Sequence, residues 1–86
     1  MPEVSRFFGV VIAIYWQDHG VPHFHAKYGE SRASFSIGEL RLLEGSLPPR
    51  VTALVVEWAF RYRDELQEDW NLAVARKPLK SIPPLE

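Results

Sequence analysis

His23-Phe24-His25-Ala26-Lys27-Tyr28-Gly29-Glu30-Ser31-Arg32-Ala33-Ser34-Phe35-Ser36-Ile37 is the stretch that decides the fold. Both of its halves alternate strictly. Phe24, Ala26 and Tyr28 share one side of an extended chain, with His23, His25 and Lys27 on the other; Ala33, Phe35 and Ile37 likewise oppose Arg32, Ser34 and Ser36. Period-two alternation is the mark of a strand with one covered face. A two-residue Gly29-Glu30 turn joins the halves as a hairpin. It pairs Phe24 with Phe35, Ala26 with Ala33, His25 with Ser34 and His23 with Ser36. A one-residue slip would mix the apolar and the His/Ser face, so the pattern itself fixes the register.

Moving toward the amino terminus, Phe7-Phe8-Gly9-Val10-Val11-Ile12-Ala13-Ile14-Tyr15-Trp16 is apolar at odd and even positions alike. It reads as one strand in the middle of a sheet, covered on both faces. Asp18-His19-Gly20 and Val21-Pro22 then turn the chain. Toward the carboxyl terminus, Gly38-Glu39 offers a second tight turn, Leu40 to Leu43 a short edge strand, and Glu44-Gly45 its end. Ser46-Leu47-Pro48-Pro49 opens a helix, with Ser46 as cap and proline in the first turn. Val51, Leu54, Val55, Trp58, Tyr62, Leu66, Trp70 and Ala73 follow at three- and four-residue steps as an amphipathic stripe. A straight helix that long would measure about 45 Å, against about 20 Å for a six-residue strand, so it bends near Arg61-Tyr62-Arg63-Asp64. The expected architecture is α+β: a four-stranded antiparallel meander (residues 6–44) packed on one long, bent helical segment (47–76), with an extended tail (77–86).

The 86 residues make a single domain, 47% hydrophobic, with three Trp, three Tyr and five Phe. A chain this short buries only roughly 60–65% of its unfolded surface, so its stability margin is thin. Without cysteine there is neither a disulfide frame nor a thiolate metal site. The apolar run from Phe7 to Trp16 is too short to span a bilayer as a helix, which points to a soluble cytoplasmic protein. A formal net charge of −1 supplies no overall field for nucleic acid. Local basic groups remain, with Arg6, Lys27 and Arg32 near the histidines.

Several stretches together resemble one bacterial family. These are Ser5-Arg6-Phe7-Phe8-Gly9, Tyr15-Trp16-Gln17-Asp18-His19, the Pro22-His23-Phe24-His25-Ala26-Lys27-Tyr28-Gly29-Glu30 core and Leu43-Glu44-Gly45-Ser46-Leu47-Pro48. Glu57-Trp58-Ala59, Arg63-Asp64-Glu65-Leu66 and Trp70 complete the set. The family is catalogued as domain of unknown function 4160. Val21 departs from it, since the family often has a second proline there. The resemblance implies a small prokaryotic protein, often encoded beside a second small protein, whose relatives have been proposed as the toxin half of type II toxin–antitoxin pairs. It carries no catalytic residues with it.

All three histidines fall within seven residues, and imidazole alone changes charge between about pH 5 and 8 at its ordinary pKa. Three readings compete. As a metal site, His23 and His25 at i and i+2 need a third ligand from Asp18 or His19, short of the complete set such a site wants, so no metal or cofactor is assigned. As an acid–base site on RNA, His19, His23 and His25 are the candidate catalytic groups. Lys27, Arg32 and Arg6 would then be the cations and Tyr15 the stacking or hydrogen-bonding partner. As plain structure, the histidines satisfy turns and decorate a solvated strand face beside serines; on residue evidence alone this reading outweighs either of the others.

Trp58, Tyr62 and Trp70 sit on the helix stripe and read as core. Ala53, Val56 and Phe60 form a second apolar line, turned away from the sheet. Exposed lines of this kind mark partner surfaces. The expected partner is a cognate antitoxin-like protein or a second copy, in preference to the chain's own proline-rich tail. The leading function is a toxin-like growth inhibitor acting on RNA through the His/Ser face. The alternative is a protein-interaction or regulatory module without chemistry.

Overall fold

A computed structural model describes residues 3–16 and 19–86. Five strands are hydrogen-bonded in sequence order, β1 (Glu3–Phe7), β2 (Val10–Ala13), β3 (His23–Tyr28), β4 (Ser31–Ser36) and β5 (Leu42–Ser46), followed by α1 (Pro49–Arg61) and α2 (Arg63–Val74). Every neighbouring pair is antiparallel. The central hairpin has the register read from the sequence: Phe24 faces Phe35, Ala26 faces Ala33, His25 faces Ser34 and His23 faces Ser36. Gly29 sits in its turn at φ +58°, a conformation that glycine takes at no steric cost.

The meander has five strands rather than four, because the Phe7–Trp16 run is not one strand. It folds back at Phe8-Gly9, both with positive φ (48° and 82°), the requirement of the tight hairpin turn whose twist suits the flanking strands. Phe7 then faces Val10 and Ser5 faces Ile12. The internal strand is β2: Val10 and Ile12 enter the core, while Val11 and Ala13 lie on the opposite face, which the helices leave open there. At the other edge, β5 runs from Leu42 through Glu44-Gly45 to Ser46, so that dipeptide lies within the strand. Ser46 caps nothing: Pro48 occupies the cap position of α1 with no side-chain hydrogen bond, and Pro49 opens the helix.

The helical segment is two helices, divided at Tyr62 (φ −112°, ψ 30°). No proline or glycine forces the break. The molecule measures 33 × 25 × 23 Å, too small for a straight helix of about 45 Å. The bend returns Leu66, Trp70 and Ala73 to the core. Val51, Val55, Trp58 and Ala59 of α1 cover Phe7, Val10, Ile12, Phe24 and Phe35 on one sheet face. Trp58 has no exposed surface; its ring centroid lies 5.3 Å from that of Phe7 and 6.1 Å from that of Phe24. No helix among the described residues is long and apolar enough to cross a membrane.

The tail departs from expectation by packing on its own chain. Ile82 and Leu85 are buried. The Ile82 amide donates to the Val4 carbonyl (2.8 Å), Trp58 Nε1 to the Pro83 carbonyl (2.8 Å), Trp16 Nε1 to the Lys77 carbonyl (3.2 Å), and the Lys80 amide to Asp69 Oδ1 (2.8 Å). A proline-rich segment lacks donors for a ladder, and these point attachments hold it instead. On α1, Val56 packs half-buried against the core, Ala53 stays exposed, and Phe60 is 69% exposed with the Arg63 guanidinium 5.2 Å from its ring centroid.

Replacing Trp58 by Ala should lower stability by about 3–5 kcal/mol, enough to unfold much of the population of so small a domain. Trp58→Phe, which keeps a ring but strands the Pro83 carbonyl, should cost less. Urea denaturation of both variants checks the order. Asp69 gives a second test. The residue is 1% exposed, Oδ2 has no hydrogen-bond partner, and burial pushes its pKa above the ordinary 3.8 against the pull of the Lys80 amide. From 3.8 up to that raised value the native state binds more protons than the unfolded chain, so stability falls as pH rises through this window. Asp69→Asn, which keeps an acceptor for Lys80, should abolish the fall. Denaturation midpoints measured across the window would overturn the assignment if both proteins declined alike.

Candidate functional site

The sheet face opposite α1 is open along two neighbouring rows of side chains sorted by strand pairing. One row runs Arg6, Val11, Lys27, Arg32, Ser46 across β1 to β5. The next runs Glu3, Ala13, His25, Ser34, Glu44 across the same strands. Residues two apart on a strand lie about 7 Å apart, which is the spacing between the rows. Small or apolar Val11 and Ala13 on β2 leave the middle of the face hollow. The result is an open groove of about 660 Å³ whose lining includes Val11, Ala13, Tyr15, His25, Lys27, Arg32, Ser34 and Glu44.

The sequence candidates fall into distinct positions. Tyr15, His25, Lys27 and Arg32 come together in the groove. Arg6 lies on the same face at the outer strand, and Glu3 holds its guanidinium through two hydrogen bonds of 2.9 and 3.1 Å. This pairing lowers the Glu3 pKa and raises that of Arg6. His19 is exposed in the connection after β2 and does not line the groove. Asp18, the other candidate third metal ligand, lies outside the described residues. Among the described residues no group of three His, Cys, Asp or Glu side chains is placed to hold a metal ion.

His23 and His25 point to the same face, yet their surroundings differ. The His25 ring is 4.7 Å from Tyr15 and 5.1 Å from His23, centroid to centroid. On its other side the His23 ring is 5.1 Å from Trp70 of α2. His23 Nδ1 lies 2.8 Å from the Val21 carbonyl, so that nitrogen carries the proton and donates it there. The four rings Tyr15, His25, His23 and Trp70 form a file from the groove to α2. Only His25 of the histidine pair lines the groove. Ser34 and Ser36, expected on a solvated face, are buried, being short side chains on a strand flanked by β3 and β5.

Glu44 is the groove residue that sequence reasoning passed over. Treating Glu44-Gly45 as the end of a strand removed it from the face, although Glu44 stands directly opposite Ser34. Its place depends on Gly45. That residue has φ +74°, and a Cβ there would run into the Arg32 carbonyl oxygen. A glycine inside a strand signals a bulge or close backbone approach as readily as an end. A register shift does occur here, between Ser34 and Phe35. Among the described residues no ion pair engages Lys27, Arg32 or Glu44, so the groove presents two cations and one carboxylate available to a ligand.

Gly45→Ala should destabilise the protein by about 1–3 kcal/mol and push β5 away from Arg32, whereas Gly20→Ala, at a site with open space, should leave the groove intact despite its own strain at φ +87°. Amide exchange across β4 and β5 measures the difference.

No curated protein and no solved structure matches the chain. Residues 9–71 match a family model, a span that contains the whole groove lining and omits β1 and the tail. The chain belongs to the family described as Domain of unknown function (DUF4160).

Proposed function

We propose that this chain is the toxin-like, growth-inhibiting member of a bacterial type II toxin–antitoxin pair, acting on RNA through the open sheet face. The observation that carries the reading is the meeting of Lys27, Arg32, His25, Ser34 and Tyr15 in one groove. Phosphodiesters need cations at their oxygens, and the paired Lys27 and Arg32 supply two on adjacent strands. Unstacked bases need aromatic faces, and Tyr15 borders the groove beside His25. An open sheet face with rings along one side suits splayed single-stranded RNA. With a net charge of −1 the affinity rests on the local cations, so two phosphate contacts should give a salt slope of only about −1.4.

The exposed stripe of Ala53 and Phe60, with half-buried Val56 beside it, is the surface for the inhibitory partner, a cognate antitoxin-like protein or a second copy. The same stripe favours the second reading, a non-catalytic interaction module, in which the partner is the function and the groove is idle.

Induced expression in a bacterial host decides between them. The wild-type chain should arrest growth, and the Lys27→Ala/Arg32→Ala double variant, soluble at the same level, should not. Unimpaired growth at full expression of the wild-type chain would overturn the toxin reading.

A further inference from the structure

We infer that Glu44 and His25 are the base and acid of an RNA cleavage that uses the strand's own 2′-hydroxyl as nucleophile. The inference rests on the groove being an RNA site and adds the chemistry and the substrate class within it.

The geometry is set by the row His25–Ser34–Glu44. Each pair is directly opposite across neighbouring strands. Directly opposite Cβ atoms lie about 4.5–5.5 Å apart, so His25 and Glu44 stand about 10 Å apart at Cβ with Ser34 between them. Both side chains line the groove. A phosphoryl group seated over Ser34 would therefore have one of them on either side, as an in-line displacement requires of its acid and base. Lys27 and Arg32 occupy the next row, about 7 Å along the strands. There they meet the non-bridging oxygens, where charge develops in the transition state. Tyr15 lies on the His25 side and gives a base a stacking surface there.

The step balances without any further reactant. The Glu44 carboxylate takes the proton of the 2′-hydroxyl, and the 2′-oxygen forms a bond to phosphorus. The bond from phosphorus to the 5′-oxygen breaks as the protonated His25 imidazole gives that oxygen its proton. The products are a 2′,3′-cyclic phosphate on one fragment and a 5′-hydroxyl on the other. Glu44 is left protonated and His25 neutral, and exchange with water restores both. A carboxylate suits the role of base because it accepts from a hydroxyl without carrying its own proton into the site, and imidazole suits the role of acid near neutral pH. His23 is not part of this pair: it stands outside the groove lining, between His25 and Trp70, and positions the His25 ring.

The test uses the full chain and two short randomised-sequence oligonucleotide pools, one of RNA and one with the same backbone but 2′-deoxy sugars throughout. The RNA pool should be cut to fragments with 2′,3′-cyclic phosphate and 5′-hydroxyl ends. The deoxy pool should bind within a few-fold but stay intact. Glu44→Gln, which keeps size and adds no charge to the exposed edge strand, should slow cutting by about 10²–10⁴-fold with binding retained and an unchanged circular dichroism spectrum. Cutting of the deoxy pool, RNA products with 5′-phosphates, RNA bound but left uncut, or a Glu44→Gln rate equal to wild type would each overturn the inference while leaving RNA binding in place. Failure of the RNA pool to bind at all would instead remove the RNA reading itself, and the inference with it.

Discussion

Everything in this molecule leans on the indole of Trp58. Its faces contact Phe7 of β1 and Phe24 of β3, its neighbour one turn on is Tyr62 at the helix break, and its ring nitrogen holds the tail at Pro83. One residue thus ties edge strand, central hairpin, helix and tail to a single point. The arrangement answers the difficulty of a short chain, in which there is too little core for independent packing units. A large aromatic with one polar atom offers extensive apolar contact and one directional bond, and here the bond goes to the proline-rich tail.

With α1 committed to one face, the other keeps the polar side chains, and α2 reaches it only where Trp70 meets His23. Strict alternation in β3 and β4 sends every large apolar side chain toward Trp58, and the residues left over are polar by construction. What makes them a candidate site rather than a solvated surface is their ordering. Antiparallel pairing lines up Lys27 with Arg32 in one row and His25 with Ser34 and Glu44 in the next. The small residues of β2 leave space above them. The buried serines fit the same account, since short hydroxyl side chains between longer neighbours floor a groove without filling it.

How much of this was legible in the sequence varies with how local the cause is. The hairpin from His23 to Ser36 was readable because pattern and turn chemistry agree. The Phe8-Gly9 turn was hidden because a phenylalanine at positive φ has no turn signature; the usual signal is Asn or Asp before glycine. The helix break was foreseen on length grounds and fell within the expected segment, at Tyr62. Glu44 was lost to the reading of Gly45 as punctuation, whereas that glycine is there for the close approach of the Arg32 backbone. The tail was misjudged because its anchors, Val4, Trp58 and Asp69, are remote in sequence, and no local pattern announces them.

The attachment of Ile82 to Val4 also sets an order of events in time. The meander pairs only neighbouring strands, so its hairpins can close while the rest of the chain is still extended, and such local topologies fold quickly. The strap joins residues nearly the whole chain apart. Closing so large a loop costs little more than closing one half as long, because the entropy grows only with the logarithm of length. During synthesis, however, the strap emerges after every element that it binds. Until it does, the outer edge of β1 and the nitrogen of Trp58 lack the partners the tail gives them, and the nascent sheet presents an open strand to its surroundings. The emergence of residues 77–86 is therefore the step that closes this edge and completes the core.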